Sequence, residues 1–161
     1  KLNMLKEWLI NLQKKNVVKI SHSVMELVCA KYLILKGYEV QLEYQLSEIL
    51  TCDLYSRKGY GNLIVEIETG FIPPEYALCP LTYTSARLAS KIIRYNSFAG
   101  KFALGMPPHY ILPFPHALAK PPRNRTHEEV SAIKHLCDEY YKNPPVTEEE
   151  IQNADGHAFH G

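Results

Sequence analysis

Residues 52–70 read CDLYSRKGYGNLIVEIETG, with three acids, Asp53, Glu66 and Glu68, in or beside segments that otherwise have the β-branched and aromatic character of buried strand. The turn-rich RKGYG separates EILTCDLYS from NLIVEIETG, which predicts two strands joined as a hairpin. If they pair about the turn from Arg57 to Asn62, Asp53 faces Glu66, and the strand period of two puts Glu68 on the same side. Three carboxylates then share one patch. Two like charges about 5 Å apart, at an effective dielectric of about 20, repel by roughly 3 kcal/mol before any desolvation is counted. A hard divalent cation offsets that repulsion, because Mg²⁺ and Mn²⁺ take carboxylate, carbonyl and water oxygens in octahedral geometry.

Upstream of this stretch, Leu2, Leu5, Leu9 and Leu12 recur at helical spacing beside Trp8 and predict a first amphipathic helix. SHSVMELVCAKYLILKGYEV predicts a second helix, with Ser21 or Ser23 as cap, Val24, Leu27, Val28 and Leu35 on its apolar side, and Gly37 as its stop after Lys36. YEVQLEYQL then alternates as a half-exposed strand with Val40, Leu42 and Tyr44 inward. Downstream, FIPPEYALCP is a proline-punctuated loop. LTYTSARLASKIIRYNSFAG is a third helix, with Thr82 or Thr84 as cap, apolar Leu88, Ile92 and Ile93, and Gly100 as stop. KFALGM is a strand, HYIL a candidate for one more, and PFPHALAKPPRNR a proline-broken connection. THEEVSAIKHLCDEYYK opens with the capping-box spacing from Thr126 to Glu129 and forms a fourth helix ending before Pro144. VTEEEIQNADGHAFHG starts a short helix and then loses its pattern.

The expected order is helix, three strands, helix, strand: an α/β fold whose central mixed sheet is flanked by helices on both faces. Polar residues on the middle strands of such a sheet need an explanation. The length and the 46% hydrophobic content suit one domain over residues 1–143, with residues 144–161 as a flexible tail. A net charge of +1 excludes a general basic footprint, so any nucleic-acid contact must come from a local patch. Cys29, Cys52, Cys79 and Cys137 form no CxxC pair, which argues against a zinc ribbon or a dithiol redox motif and leaves them as small buried hydrophobes. A disulfide among them would suit only a thermophilic archaeal chain. There is no signal-peptide pattern and no membrane-length apolar run, so the expectation is a soluble protein of the cytoplasm, without membrane partner or organic cofactor. His157 and His160 have ligand-like spacing in a tail, while His109, His116, His127 and His135 are scattered surface or partly buried positions. Tyr32, Tyr44, Tyr55, Tyr83 and Tyr95 are expected to pack in the core with their hydroxyls at its edge.

Asp53, the hairpin turn and Glu66-Ile67-Glu68 after NLIV resemble the PD-(D/E)XK nuclease superfamily over roughly residues 21–106, and within it the archaeal Holliday junction resolvases, of cellular or viral origin. The resemblance implies the restriction-endonuclease-like core in the order α-β-β-β-α-β. It also implies hydrolysis of DNA phosphodiester bonds, on branched substrates in the resolvase case, with Mg²⁺ or Mn²⁺ as cofactor. Glu26 in VMELV matches the family's helical acid, so Glu26, Asp53 and Glu66 are the implied metal ligands, joined by the Ile67 carbonyl. Two departures stand out. Cys52 occupies the place of the signature Pro, and Glu68 that of the signature Lys. The implied catalytic set is therefore Asp53, Glu66 and Glu68 with a displaced cation, Lys91 or Arg94 on the third helix or Lys31 on the second. Implied DNA contacts are Lys58, Arg87, Lys91 and Arg94, with Lys120, Arg123 and Arg125 as further cations. The resemblance further implies a homodimer, for which the apolar GMPPHYILPFPHAL offers a surface, and location in the cytoplasm, that of the host for a viral chain. The missing Lys keeps open a second class, a catalytically inactive nuclease-like domain that binds nucleic acid or a protein partner. A third account is plainer: alternating Glu residues mark the solvent face of an antiparallel sheet.

Overall fold

Two helices form where the helical spacing predicts them, α1 over Leu2–Lys14 and α2 over Ile20–Leu35. Gly37, at φ 86°, then turns the chain out of α2 in the left-handed region that glycine adopts without penalty. The structure is a computed structural model and describes residues 1–14, 20–108 and 110–155. His109, His157 and His160 lie outside the described residues.

The chain divides into two compact units. The first comprises Lys1–Thr69 and Phe98–Pro108, and the second Gly70–Ser97 with the described part of 109–161.

In the first unit, β1 (Glu39–Gln45), β2 (Thr51–Lys58), β3 (Gly61–Ile67) and β4 (Lys101–Gly105) form a mixed sheet in the order β1-β2-β3-β4. The first three strands are an antiparallel meander, as expected. β4 joins β3 in parallel, pairing Leu63 with Lys101 through Ile67 with Gly105. The β2–β3 hairpin closes through Gly59-Tyr60, with Gly59 at φ 59°, the positive φ that a tight two-residue turn requires at its first position. Leu9 of α1 and Ala30 and Leu33 of α2 share a buried core with Leu42, Leu54, Val65 and Ile67 of the sheet, each large side chain contributing about 1.5–3 kcal/mol by its burial. A side chain at Gly105 would meet Cys29 Sγ and Ile67 Cδ1 at 2.8 Å, so the end of β4 needs a glycine to lie this close to α2.

Two face assignments are corrected. The inward line of α2 is Ser23, Glu26, Ala30 and Leu33, whereas Val24, Val28 and Leu35 are exposed. α2 carries apolar residues around its whole circumference, so their spacing does not single out a face. On β1, Leu42 is buried as expected, but Tyr44 is exposed and stacks on Tyr55, with ring centroids 4.5 Å apart. Glu43, at φ 48°, breaks the alternation between them.

The second unit is helical: α3 (Pro80–Asn96), α4 (His127–Tyr140) and α5 (Glu148–Asn153), with 3-10 turns at Pro74–Tyr76, His116–Ala119 and Pro122–Asn124. α3 starts at Pro80, ahead of the expected Thr caps, because proline is pre-shaped for the first helical position. The capping box at Thr126 and Glu129 is present, and a second one joins Thr147 to Glu150. That second box organises the expected tail, where Val146, Ile151 and Ala154 are buried. Residues 110–112 form no strand, in keeping with flanking prolines that cannot donate to a ladder. Tyr83 and Tyr95 are buried, while Tyr32 is exposed. All four cysteines are free, and Cys79 is exposed where a buried position was expected. No helix among the described residues is long and apolar enough to cross a membrane.

Candidate metal centre

β2 and β3 keep their ladder from Lys58↔Gly61 to Leu54↔Val65. At the next step, carboxylates stand in for backbone carbonyls. The Asp53 N–H donates to Glu66 Oε1 at 2.9 Å, and the Ile67 N–H donates to Asp53 Oδ2 at 2.6 Å. Each acid thus satisfies a backbone donor of the opposite strand with a charge-assisted bond, which fixes both carboxylates at the fork. The hairpin register inferred from the sequence, Asp53 against Glu66, is the one observed.

Glu26 reaches this fork from the inward line of α2. Its side chain has no exposed surface, and its carboxyl has no hydrogen-bond partner outside the group it faces, where it meets the Glu43 carboxyl. Burial, with repulsion from Glu43, Asp53 and Glu66 added, pushes its pKa up to about 9. Glu43 is pushed up as well, by burial and then by Asp53, with His22 acting in the opposite direction. The two strands place Glu43 across from Asp53, between the pairs Leu42↔Leu54 and Tyr44↔Cys52. Holding Glu43 at φ 48° costs about 1–2 kcal/mol, a strain of the kind that functional sites retain.

His22, one turn before Glu26, completes the group. Its Nε2 lies 3.1 Å from Asp53 Oδ1 and 3.4 Å from Glu26 Oε1. One ligand atom from each of His22, Glu26, Glu43 and Asp53 lies within 4.8 Å of all the others. The sequence reading missed His22 and Glu43. The signal for His22 was its i,i+4 spacing to Glu26, and that for Glu43 its place opposite Asp53 once β1 and β2 are paired.

Of the expected set, Glu26 and Asp53 belong to the convergent group, while Glu66 lies beside it, its Oε1 accepting from the Asp53 N–H, and is not one of its four ligands. Glu68 is buried just past the end of β3, its N–H donating to Gly105 O at 2.8 Å, and it is not one of the four convergent ligands. Cys52, at the signature proline position, is fully buried beside these acids, and burial followed by Glu66 and Asp53 pushes its thiol up to about 12. Lys31 is exposed on α2. Lys58 donates to Lys36 O at 2.7 Å and lies over the Tyr38 ring, tying the hairpin to the carboxyl end of α2.

Lys91, Arg87 and Arg94 are on α3, in the second unit. Arg87 donates to Phe71 O and lies over Tyr83, and Arg94 donates to Pro144 O and lies over Tyr141. Lys120 pairs with Glu129, and Arg123 is exposed. Arg125 is buried and spends its guanidinium on five backbone carbonyls, so it is a strut of the second unit.

The donor set fits a divalent cation. A wholly buried carboxyl that its surroundings keep from ionising, facing two more acids and an imidazole, can ionise once a positive charge sits among those ligand atoms. Comparison with known proteins gave no match to a family model, to a curated protein or to a solved structure.

Proposed function

We propose that this chain is a metal-dependent nuclease of the PD-(D/E)XK type that hydrolyses DNA phosphodiester bonds. The observation that carries the proposal is the fork, where Asp53 and Glu66 bond across β2 and β3 while the buried Glu26 faces them. The element order α-β-β-β-α-β, with β4 parallel to β3, supports the same reading. Glu26, Asp53 and Glu66 would hold Mg²⁺ or Mn²⁺, with the Ile67 carbonyl beside them. When bound, such an ion supplies positive charge for the scissile phosphate and acidifies a water for attack. Asp53 and Glu66 are held by backbone donors, so their orientation is set before substrate arrives. Glu68, at the family's lysine position, would take the proton of the attacking water.

The position of Glu68 also favours a second reading, a nuclease-like protein that binds DNA without cutting it. The proposal carries DNA as partner and a homodimer as the working form. Within the segment suggested for that contact, Ile111 is exposed, whereas Ala117 and Leu118 are buried and unavailable to it.

The test is a cleavage assay on linear, branched and single-stranded DNA and on RNA, with Mg²⁺ or Mn²⁺. The parent should cut at least one DNA substrate only when metal is added, and Asp53→Asn should not cut. Binding without cutting would favour the second reading. Neither binding nor cutting would remove both.

A further inference from the structure

The metal ligands that the family resemblance implies are all oxygens, yet this site contains a nitrogen donor. The His22 imidazole stands against Asp53 and Glu26, at 3.1 Å and 3.4 Å, and shares the 4.8 Å group with Glu43. A cluster of acids is common on protein surfaces and proves nothing by itself. Here a second observation points to a ligand: Glu26 is wholly buried, and its oxygens have no hydrogen-bond partner outside the group they face. If neutralising the acids were the only requirement, a lysine or arginine would serve at any pH, whereas an imidazole adds a lone pair that a metal can use. His22 is also one-quarter exposed, which leaves the group open to an ion from solvent.

We propose that His22 Nε2 is a metal ligand, and that the site therefore takes a first-row transition ion of the Mn²⁺, Fe²⁺, Co²⁺ or Zn²⁺ class in preference to Mg²⁺. The reason is ligand softness. Mg²⁺ dehydrates reluctantly and favours carboxylate, phosphate and water oxygens, whereas imidazole suits the transition ions. The inference rests on the reading of the acids as a metal centre and adds which ion they select.

The experiment titrates the metal-free protein with MnCl₂ and with MgCl₂ by calorimetry, for the parent and for His22→Gln, with circular dichroism to establish that the variant is folded. The parent should bind Mn²⁺ more tightly than Mg²⁺. His22→Gln should lose most of that preference through weaker Mn²⁺ binding, with Mg²⁺ binding nearly unchanged. Pulsed electron paramagnetic resonance of the Mn²⁺-bound parent should show coupling to a directly bound nitrogen, a readout that needs no variant. An unchanged Mn²⁺-to-Mg²⁺ ratio in His22→Gln, or absence of the nitrogen coupling, would make His22 a counter-charge and overturn this inference while leaving the metal centre standing. Failure of the parent to bind either ion would overturn the metal centre itself.

Discussion

Glu26 and Arg125 are both buried ionisable residues, and they sit in opposite situations. Arg125, in the second unit, donates to the carbonyls of Ala117, Leu118, Lys120, Ile151 and Gln152 at 2.8–3.2 Å. Two of those carbonyls belong to the last turn of α5, where helix geometry leaves acceptors without intrahelical donors and favours positive charge. Glu26, in the first unit, has no hydrogen-bond partner outside its group and faces three acids, Glu43, Asp53 and Glu66, that oppose its ionisation, with the His22 imidazole on the other side of the balance. A buried charge that is fully partnered belongs to the fold. An acid kept from ionising by other acids lacks such partners unless something else binds there, and that contrast separates the structural strut from the candidate site.

The largest effect should come from breaking the satisfied side. Arg125→Met removes the donor from five carbonyls, and at about 1 kcal/mol for each, the low end for an unsatisfied buried acceptor, the loss is about 5 kcal/mol. Chemical denaturation should show this loss irrespective of metal. A loss near zero would mean that water replaces the guanidinium, and the contrast would fail.

The next effect should come from relieving the unsatisfied side. The Glu26 pKa is about 9 in the folded protein against an ordinary 4.5, so folding takes up a proton between those values. The stability tied to that proton is fully present below pH 4.5 and is lost as the pH rises towards 9, at no more than about 1.4 kcal/mol per pH unit. From pH 5 to 8 the metal-free parent should therefore lose stability relative to Glu26→Gln, which has no proton to lose. Parallel pH profiles for the two proteins would show that Glu26 does not titrate as its surroundings require.

How much of this was legible in the sequence follows from the same contrast. The hairpin register was readable because the turn at Gly59 and the period of two fix which acids face each other. The capping box at Thr126 was readable from its spacing, and the one at Thr147 follows the same pattern in VTEEEIQN. The inward face of α2 was not readable, because a helix that is apolar all round leaves its rotation to be decided by what it packs against, here the sheet core and the acids. Glu43 escaped because a positive φ in a non-glycine residue has no local sequence signal. Arg125, assigned to DNA by its charge alone, proved to be internal because its acceptors lie 5–27 residues away in sequence.

The smallest effect concerns the second capping box. Thr147→Ala should cost about 1 kcal/mol, the usual worth of an N-cap oxygen, and should leave the metal response of the protein unchanged. Loss of the metal response in this variant would tie the α5 cap to a site with which it shares no residue.

Glu26, Asp53 and Glu66 are crowded together, with Glu26 kept from ionising, because a cation belongs among them. Thermal melting of the metal-free protein and of Asp53→Asn, each with and without Mn²⁺, tests this most directly. Mn²⁺ should raise the melting temperature of the parent, because a ligand that binds only the folded state stabilises it by mass action, about 2.7 kcal/mol at a hundred times its dissociation constant. It should do nothing for Asp53→Asn, which should melt no lower than the metal-free parent. A parent that does not respond to Mn²⁺, together with a markedly destabilised Asp53→Asn, would contradict the account and make the fork a structural feature of the sheet.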